Sequence, residues 1–448
     1  MRIVYVLPVY WPAVGECGIY THELVRHMSG NHDVRVITQI NSQKDKLKAE
    51  RKSPFCPYLW FGTTAASQGP WSYTEAGAHV HLLKVGELSR IWLYPLVRYH
   101  HRFPDLSFNL LKAFFGRKMD GKMKRCDIIH SVHGGVSYLG HAAYDIARMK
   151  GVPFVYTPVL RLVNGALIEE YKKHRGKIQE LPGEPPDQEK SFKSWHYRYW
   201  IELCSKADAL ITMTKFEKDF FVGEGVEAER IFPLGAGPLL ADEYDSKAFR
   251  ESYNLSGKSL VLFLGRNHII KGMRELLEAA PTVWEKHPDT EFLFVGPLEG
   301  DAQSEYAKHK DPRIHVLGEL SLEEKTSVLE ACDLLCLPSL NEGFATVFLE
   351  AWYFGKPVIG GDIPPVRELV EDGKGGYLVT PQPGEIANRI CKLLDDRDLS
   401  MKMGEWGRRR VMEEYTWDKI AEKLEGVYER FLNGELTFNP KRLEEGDL

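Results

Sequence analysis

The sequence predicts an α/β protein built from two Rossmann-like parallel-sheet domains that face each other across a deep cleft. Three observations predict it. Apolar runs of four to six residues recur without polar alternation, as strands buried on both faces require. Amphipathic helical stretches stand between them, and alternating strand and helix implies parallel sheets covered by helices. The alternation occurs twice, on either side of "FPLGAGPLLADEYDSKAFRESYNLSGK" (232–258), a stretch rich in Gly, Pro and charge that reads as an interdomain linker. A chain of 448 residues accommodates two such units.

The expected strands of the first half are "RIVYVL" (2–7), "DVRVIT" (33–38), "DIIHSV" (127–132), "FVYTP" (154–158) and "ALITMT" (209–214). Those of the second half are "LVLFLG" (260–265), "EFLFVG" (291–296), "RIHVLG" (313–318), "DLLCLP" (333–338) and "PVIG" (357–360). The N-terminal "MRIVYVLPVYW" has too short an apolar core for a signal peptide and reads as the first buried strand. Helical periodicity covers 273–287, with Met273, Leu276, Leu277, Ala280 and Val283 on one face, and 321–332, which opens on a Ser-x-x-Glu cap. Residues 41–79 and 172–194 read as irregular; the second, charged and interrupted by prolines, reads as an exposed loop or lid. Asp396-Arg397-Asp398 falls at a break between two helices and reads as a solvated cap.

Composition excludes several classes of function. A net charge of -5 argues against a general nucleic-acid binder. No apolar run approaches the length of a membrane span. The seven cysteines form no C-x-x-C pair and read as reduced thiols of a cytoplasmic protein. No His-Glu-x-x-His, P-loop or G-x-S-x-G motif is present, and no metal site is expected.

In open parallel sheets ligands bind beyond the carboxyl ends of the strands, where strand order reverses. Residues just after strands are therefore the candidates. Strand 260–264 runs into "GRNHIIKG", where Gly265 permits close backbone approach and Arg266 and Lys271 could clamp a diphosphate; a pair of surface cations is the plainer reading. Strand 333–337 leads into "SLNEGFA" and an apolar helix from about Thr346 to Phe354. Gly343 allows a tight turn, and the amides of Phe344, Ala345 and Thr346 stand at a helix N-terminus, where anions are favoured. Glu342 lies in the loop, and Glu350 one turn after Thr346 on the same helix face. Carboxylates accept hydrogen bonds and suit sugar hydroxyls. The alternative is that Glu342 caps the helix and Glu350 pairs with a cation. Both carboxylates are expected to open to the cleft on the side of Arg266 and Lys271. In the first half, Gly15 and Gly18 precede a helix and suit a phosphate weakly. His133 directly follows a strand, ahead of two glycines, and is weighed evenly between a structural and a functional role.

These residues resemble the retaining glycosyltransferases of family 4, which have the GT-B fold. The most specific stretch is "PSLNEGFATVFLEAWYFGKPVIGGDIPPVRELVEDGKGGYLV" (338–379), similar to that family's E-x7-E signature, and "FLGRNHIIKG" (263–272) is similar to its Gly-Arg…Lys-Gly element. "YTWDKIAEKLEGVYERF" (415–431) resembles its final helix, which crosses back to the first domain. The resemblance is strong over about 255–432, weaker over 1–40 and 126–235, and absent over 41–125 and 160–200. It implies an acceptor-side domain, 1–237, onto which helix 415–432 returns, and a donor-side domain, 255–414. It implies transfer of a hexosyl group from a nucleotide-diphosphate sugar to an acceptor hydroxyl with retention of configuration, with the donor as co-substrate and no cofactor or metal. Arg266 and Lys271 would hold the diphosphate. Glu342, with the amides of Phe344 and Ala345, would contact sugar and phosphate. Glu350 would bind the ribose, His133 would lie near the transferred sugar, and Gly18 would face the phosphate or the acceptor. The family usually has Gly-Gly where this chain has Cys17-Gly18. A GT-B epimerase, a phosphorylase and a non-catalytic nucleotide-sugar binder are the rival readings. The expected partners are the nucleotide sugar and a sugar, lipid-linked or small-molecule acceptor.

Residues 84–125 hold ten Lys or Arg against three acids, interleaved with Trp, Tyr and Phe. They fit three descriptions: a peripheral contact with the inner face of a membrane, helices packed on the first domain with a basic outer face, or a site for an anionic acceptor.

Overall fold

A computed structural model describes residues 1–13, 15–42, 71–99, 102–135, 137–159, 195–300 and 302–438. The stretch 172–194, expected to be an exposed loop or lid, lies outside them. In the first half the strands are β1 (Arg2–Val9), β2 (Asp33–Ile40), β3 (Ser72–Glu75), β4 (Ala78–Leu82), β5 (Ile128–His133), β6 (Phe154–Pro158), β7 (Ala209–Thr212) and β8 (Ile231–Pro233). They form one sheet in the order β3-β4-β2-β1-β5-β6-β7-β8, parallel except for the β3–β4 hairpin. The second half contributes β9 (Ser259–Leu264), β10 (Thr290–Val295), β11 (Ile314–Gly318), β12 (Leu334–Leu337), β13 (Val358–Gly361) and β14 (Gly376–Val379). These form a parallel sheet in the order β11-β10-β9-β12-β13-β14. Strand order reverses between β1 and β5 and again between β9 and β12, which places the two crevices that bind ligands in such sheets.

Three expectations need correction. The irregular stretch 41–79 contains β3 and the start of β4, whose short, polar alternation hides an edge hairpin from a search for apolar runs. The linker 232–258 begins inside β8 and includes helix Ser246–Ser252, capped by the Asp245 side chain. The first strand continues through Pro8 to Val9, since proline interrupts only one amide of the ladder. The Ser321 cap is a complete capping box with Glu324, and Asp396 caps helix Arg397–Arg410.

Helix Thr346–Tyr353 of the second half is held by close approach. A Cβ on Gly407 would stand 2.1 Å from Trp352 Cδ1, and one on Gly404 would stand 1.7 Å from the Gly355 carbonyl oxygen. Trp352 is fully buried and donates its indole N–H to the Gly375 carbonyl at 2.8 Å. The two glycines thus let helix Arg397–Arg410 press against the helix that carries Glu350.

The final helix, Trp417–Leu432, leaves the second sheet and closes the core of the first. Its Ile420, Leu424, Tyr428 and Phe431 are buried with Tyr5, Leu24 and Val36. The Tyr428 hydroxyl lies 2.6 Å from His130 Nδ1 and 3.2 Å from the Tyr5 hydroxyl, and His130 Nε2 lies 2.7 Å from Thr157 Oγ1. A second tie crosses between the halves: the Glu368 carboxylate accepts the Lys215 and Phe216 amides, at 2.8 and 2.5 Å, at the start of helix Lys215–Gly223. That arrangement satisfies orphan N–H groups with a negative charge at the helix N-terminus.

Candidate active site

A cavity of about 360 Å³ opens between the two sheets. Residues after β9 and β12 line one side, including Gly265, Arg266, Lys271, Glu342, Gly343, Phe344, Ala345, Thr346 and Glu350. The first half contributes Glu16, Ile19, Tyr20, Val159, Met213 and Glu217, and Trp417 arrives from the returning helix. Both carboxylates of the E-x7-E stretch therefore border the same cavity as Arg266 and Lys271.

Gly272 brings the loops after β9 and β12 together. Its φ is +77°, and a Cβ there would stand 2.3 Å from the Pro338 carbonyl oxygen. The Leu340 amide donates to the Ile270 carbonyl at 2.8 Å across the same seam. This contact delivers Lys271 to the loop after β12, where its ammonium donates to Glu342 Oε1 at 2.7 Å and the Ser339 hydroxyl donates to the same oxygen at 2.6 Å. The Lys271 and Glu342 side chains are 13% and 9% exposed. Arg266 donates to Glu299 Oε2 at 2.9 Å and remains partly open. Both cations are thus paired: Lys271 with Glu342, which also borders the cavity, and Arg266 with Glu299, which does not.

The helix N-terminus is more constrained than its sequence implied. The Thr346 N–H donates to the Phe344 carbonyl at 2.9 Å, so it is spent in the turn. The Phe344 and Ala345 amides have no acceptor among the described residues and border the cavity. Glu350 does not extend freely into the cleft: it is 3% exposed, and its Oε1 accepts the Lys325 ammonium at 2.9 Å and the Leu239 amide at 3.3 Å. Its Oε2 has no partner among the described residues. The expected cation partner exists, and one oxygen is left over.

Two first-half candidates sit elsewhere. His133 ends β5 at 1% exposure and does not border the cavity. Its Nδ1 lies 3.2 Å from the Gly135 carbonyl oxygen and 3.1 Å from the Tyr156 hydroxyl. A Cβ on Gly140 would stand 2.2 Å from its Nε2, so the imidazole is packed against the next helix. Burial pushes its pKa down to about 3, and it is neutral. Gly18 lies within the first turn of helix Glu16–Met28, where a Cβ would meet the Val9 and Ala13 carbonyl oxygens at 3.3 Å. It lets the helix approach β1, while Glu16 and Ile19 face the cavity.

Glu217 was not singled out from the sequence. It closes the Thr-x-x-Glu cap of helix Lys215–Gly223: Thr214 Oγ1 accepts its amide, and its Oε2 accepts the Met213 amide at 2.7 Å. Its Oε1 is buried without a partner among the described residues. Burial raises its pKa to about 8, so it carries a proton at neutral pH. The signal was present in "TKFE" after a strand, the same cap signature read at Ser321. Lys325, Ser339 and Glu299 gave no comparable signal. Among the described residues no cluster of three or more His, Cys, Asp or Glu could hold a metal ion.

The buried titratable groups set a pH dependence. His130, His133 and His141 have pKa values lowered by burial to about 3, 3 and 4. Their contribution is complete above the unfolded value of about 6.5 and is lost as pH falls toward the folded values. Each should cost about 2 kcal/mol by pH 5. Glu217 has the opposite sign: raised, it contributes fully below its unfolded value and loses that contribution as pH rises through about 8. Urea unfolding from pH 5 to 8.5 should therefore show maximal stability near neutrality, with the steeper loss on the acid side.

Comparison with known proteins gives the following. The family model described as "Glycosyl transferase 4-like domain" matches residues 15–237, and the one described as "Glycosyl transferases group 1" matches 245–410. The chain is 32% identical over 197 residues to spore coat protein SA of Bacillus subtilis (strain 168), covering 40% of this chain and 51% of that protein. It thus spans about half the length of that relative. It is 27% identical over 322 residues to alpha-D-kanosaminyltransferase of Streptomyces kanamyceticus, covering 68% of this chain and 79% of that protein. Among solved structures, sucrose-phosphate synthase from Thermosynechococcus elongatus superposes with a TM-score of 0.70 at 18% identity, covering 97% of this chain and all of that one. That likeness establishes the shared two-domain GT-B fold.

Proposed function

The chain belongs to the glycosyl transferases, and we propose that it moves a hexosyl group from a nucleotide-diphosphate sugar to an acceptor hydroxyl with retention of configuration. One observation carries the reading: Lys271, Glu342, Glu350 and the free amides of Phe344 and Ala345 converge on one cavity between two Rossmann-like halves. Breaking the bond between sugar and diphosphate leaves negative charge on the departing phosphate. Fixed donors aimed at that charge lower the barrier because they need no reorganisation. In this reading Arg266, Lys271 and the two amides receive the diphosphate. Glu342 keeps Lys271 oriented and accepts a sugar hydroxyl. The unpartnered Oε2 of Glu350 accepts a ribose hydroxyl. The sugar gains cationic character, which the nearby carboxylate tolerates. His133, enclosed at the end of β5, positions the strand end through Tyr156 and has no direct part in this reading.

A thermal-shift panel of UDP, GDP and ADP sugars tests the donor, since a ligand that binds the folded state raises its melting temperature. One nucleotide should stand out, and slow hydrolysis of that donor without acceptor should follow. Binding without hydrolysis or transfer would favour a non-catalytic binder, and no shift with any nucleotide would remove the proposal. Because these cations and amides compensate the leaving charge, transfer should keep most of its rate after treatment with EDTA. A loss on the order of a hundredfold, restored by a divalent ion, would assign that task to a metal.

A further inference from the structure

The outer flank of the first domain carries an apolar face at helical spacing. In helix Glu87–Arg98, Leu88, Ile91 and Trp92 point to solvent, 80%, 70% and 82% exposed, while Leu93 is buried. Positions i, i+3 and i+4 share one face of a helix. Helix Pro104–Asp120 and the residue before it repeat the arrangement: Phe103, Leu106 and Leu110 are exposed, while Phe108, Leu111 and Phe115 join the core. The helices therefore do pack on the first domain, as one reading of the sequence had it. Their inner faces account for that packing, and a second set of large apolar residues remains outside. Scattered exposed apolar residues are ordinary, but sets of large apolar residues at helical spacing on two consecutive helices mark a surface made to be covered.

Charge indicates what covers it. Segment 84–125 carries ten Lys or Arg against three acids, in a chain whose net charge is -5. Arg102, Arg117, Lys124 and Arg125 are exposed. Apolar side chains, interfacial aromatics and flanking cations on consecutive helices match the boundary of an anionic bilayer, where acyl chains meet negative headgroups. The placement is consistent with the cleft. Helix Glu87–Arg98 begins a few residues after the carboxyl end of β4, on the carboxyl-end side of the sheet from which Glu16, after β1, and Met213, after β7, reach the cavity.

We propose that helices Glu87–Arg98 and Pro104–Asp120 dock the protein on an anionic lipid bilayer. The outward Leu88, Ile91, Trp92, Phe103, Leu106 and Leu110 enter the headgroup–acyl boundary, and the cations select negative lipid. The proposal stands apart from the transfer reaction, because its test uses neither donor nor acceptor.

The test is sedimentation of the full chain with vesicles of phosphatidylcholine alone and of phosphatidylcholine mixed equally with phosphatidylglycerol. The wild type should sediment with the mixed vesicles and be released by salt. The variant Leu88→Gln/Ile91→Gln/Trp92→Gln should lose binding on the order of tenfold or more, with an unchanged melting temperature because these side chains fill no core space. The variant Arg102→Gln/Arg117→Gln/Lys124→Gln should lose the preference for anionic over neutral vesicles, and it decides the matter if the first variant does not fold. Failure of the wild type to sediment with mixed vesicles overturns the proposal. So does wild-type binding by both variants, or a wild-type dimer that the apolar variant dissociates without any lipid binding.

Discussion

Lys271→Met is expected to lower kcat/KM for the nucleotide-sugar donor by about 10²–10³-fold, the usual cost of removing one fixed donor from a developing negative charge. The ammonium is held at 2.7 Å from Glu342 on a side chain that is 13% exposed, so little solvent stands ready to replace it. The substitution also strands the Glu342 carboxylate, which the Ser339 hydroxyl alone would then satisfy. Breaking a buried pair from one side typically costs about 3–5 kcal/mol, so loss of activity could reflect loss of fold. The double variant Lys271→Met/Glu342→Gln separates the two effects, because it leaves no uncompensated charge. Its melting temperature should recover toward wild type while kcat/KM stays low. Steady-state kinetics and thermal unfolding of the same preparations decide it. A Lys271→Met protein with wild-type kcat/KM would take the residue out of the chemistry, and a double variant that regained activity would make the pair purely structural.

Tyr428→Ala is expected to destabilise the first domain by about 4 kcal/mol, as expected for removing a fully buried aromatic ring. The ring lies where the returning helix meets β1 and β5, and its hydroxyl satisfies His130 Nδ1 and meets Tyr5. Trp417 borders the cavity at the other end of that helix and is tied through its indole N–H to the Pro238 carbonyl at 2.9 Å. Loosening Tyr428 should therefore raise the donor KM as well as lower stability. Tyr428→Phe keeps the packing and loses the hydroxyl, leaving His130 with one unpaired nitrogen. It should cost about 1–3 kcal/mol and leave KM near wild type. If urea unfolding placed both variants within 0.5 kcal/mol of wild type, roughly the scale of a surface change, the helix would not be part of the first domain's cooperative core.

Much of the fold was legible because the relevant signals are local. Buried parallel strands need runs of apolar residues, and ten such runs fall on strands of the two sheets within a residue or two at most ends. The edge hairpin of β3 and β4 was missed because edge strands alternate with polar residues and are short. The site was legible where a residue's position at a strand end determines its direction. Arg266, Lys271, Glu342 and Glu350 all follow the carboxyl ends of β9 and β12, and all border the cavity. His133 satisfies the same rule yet does not border the cavity, because the rule gives a location and not a rotamer: Gly140 on the next helix leaves a space that its ring fills. Gly18 does not border the cavity either; a glycine before a helical pattern suits a phosphate or a close helix–strand contact equally well, and here the neighbouring carbonyls show the close contact.

The sequence by itself determined the alternation of strand and helix, the division into two sheets, and which loops carry charge at strand ends. These follow from backbone geometry and burial, which act over a few residues. Only the tertiary structure decided how the charges are used. Lys271 meets Glu342 across 71 positions, and Lys325 meets Glu350 across 25. Burial in the folded chain, not a neighbour in sequence, raises the pKa of Glu217. Pairing, desolvation and the return of the last helix depend on distances in space, and those exist only after the chain has closed on itself.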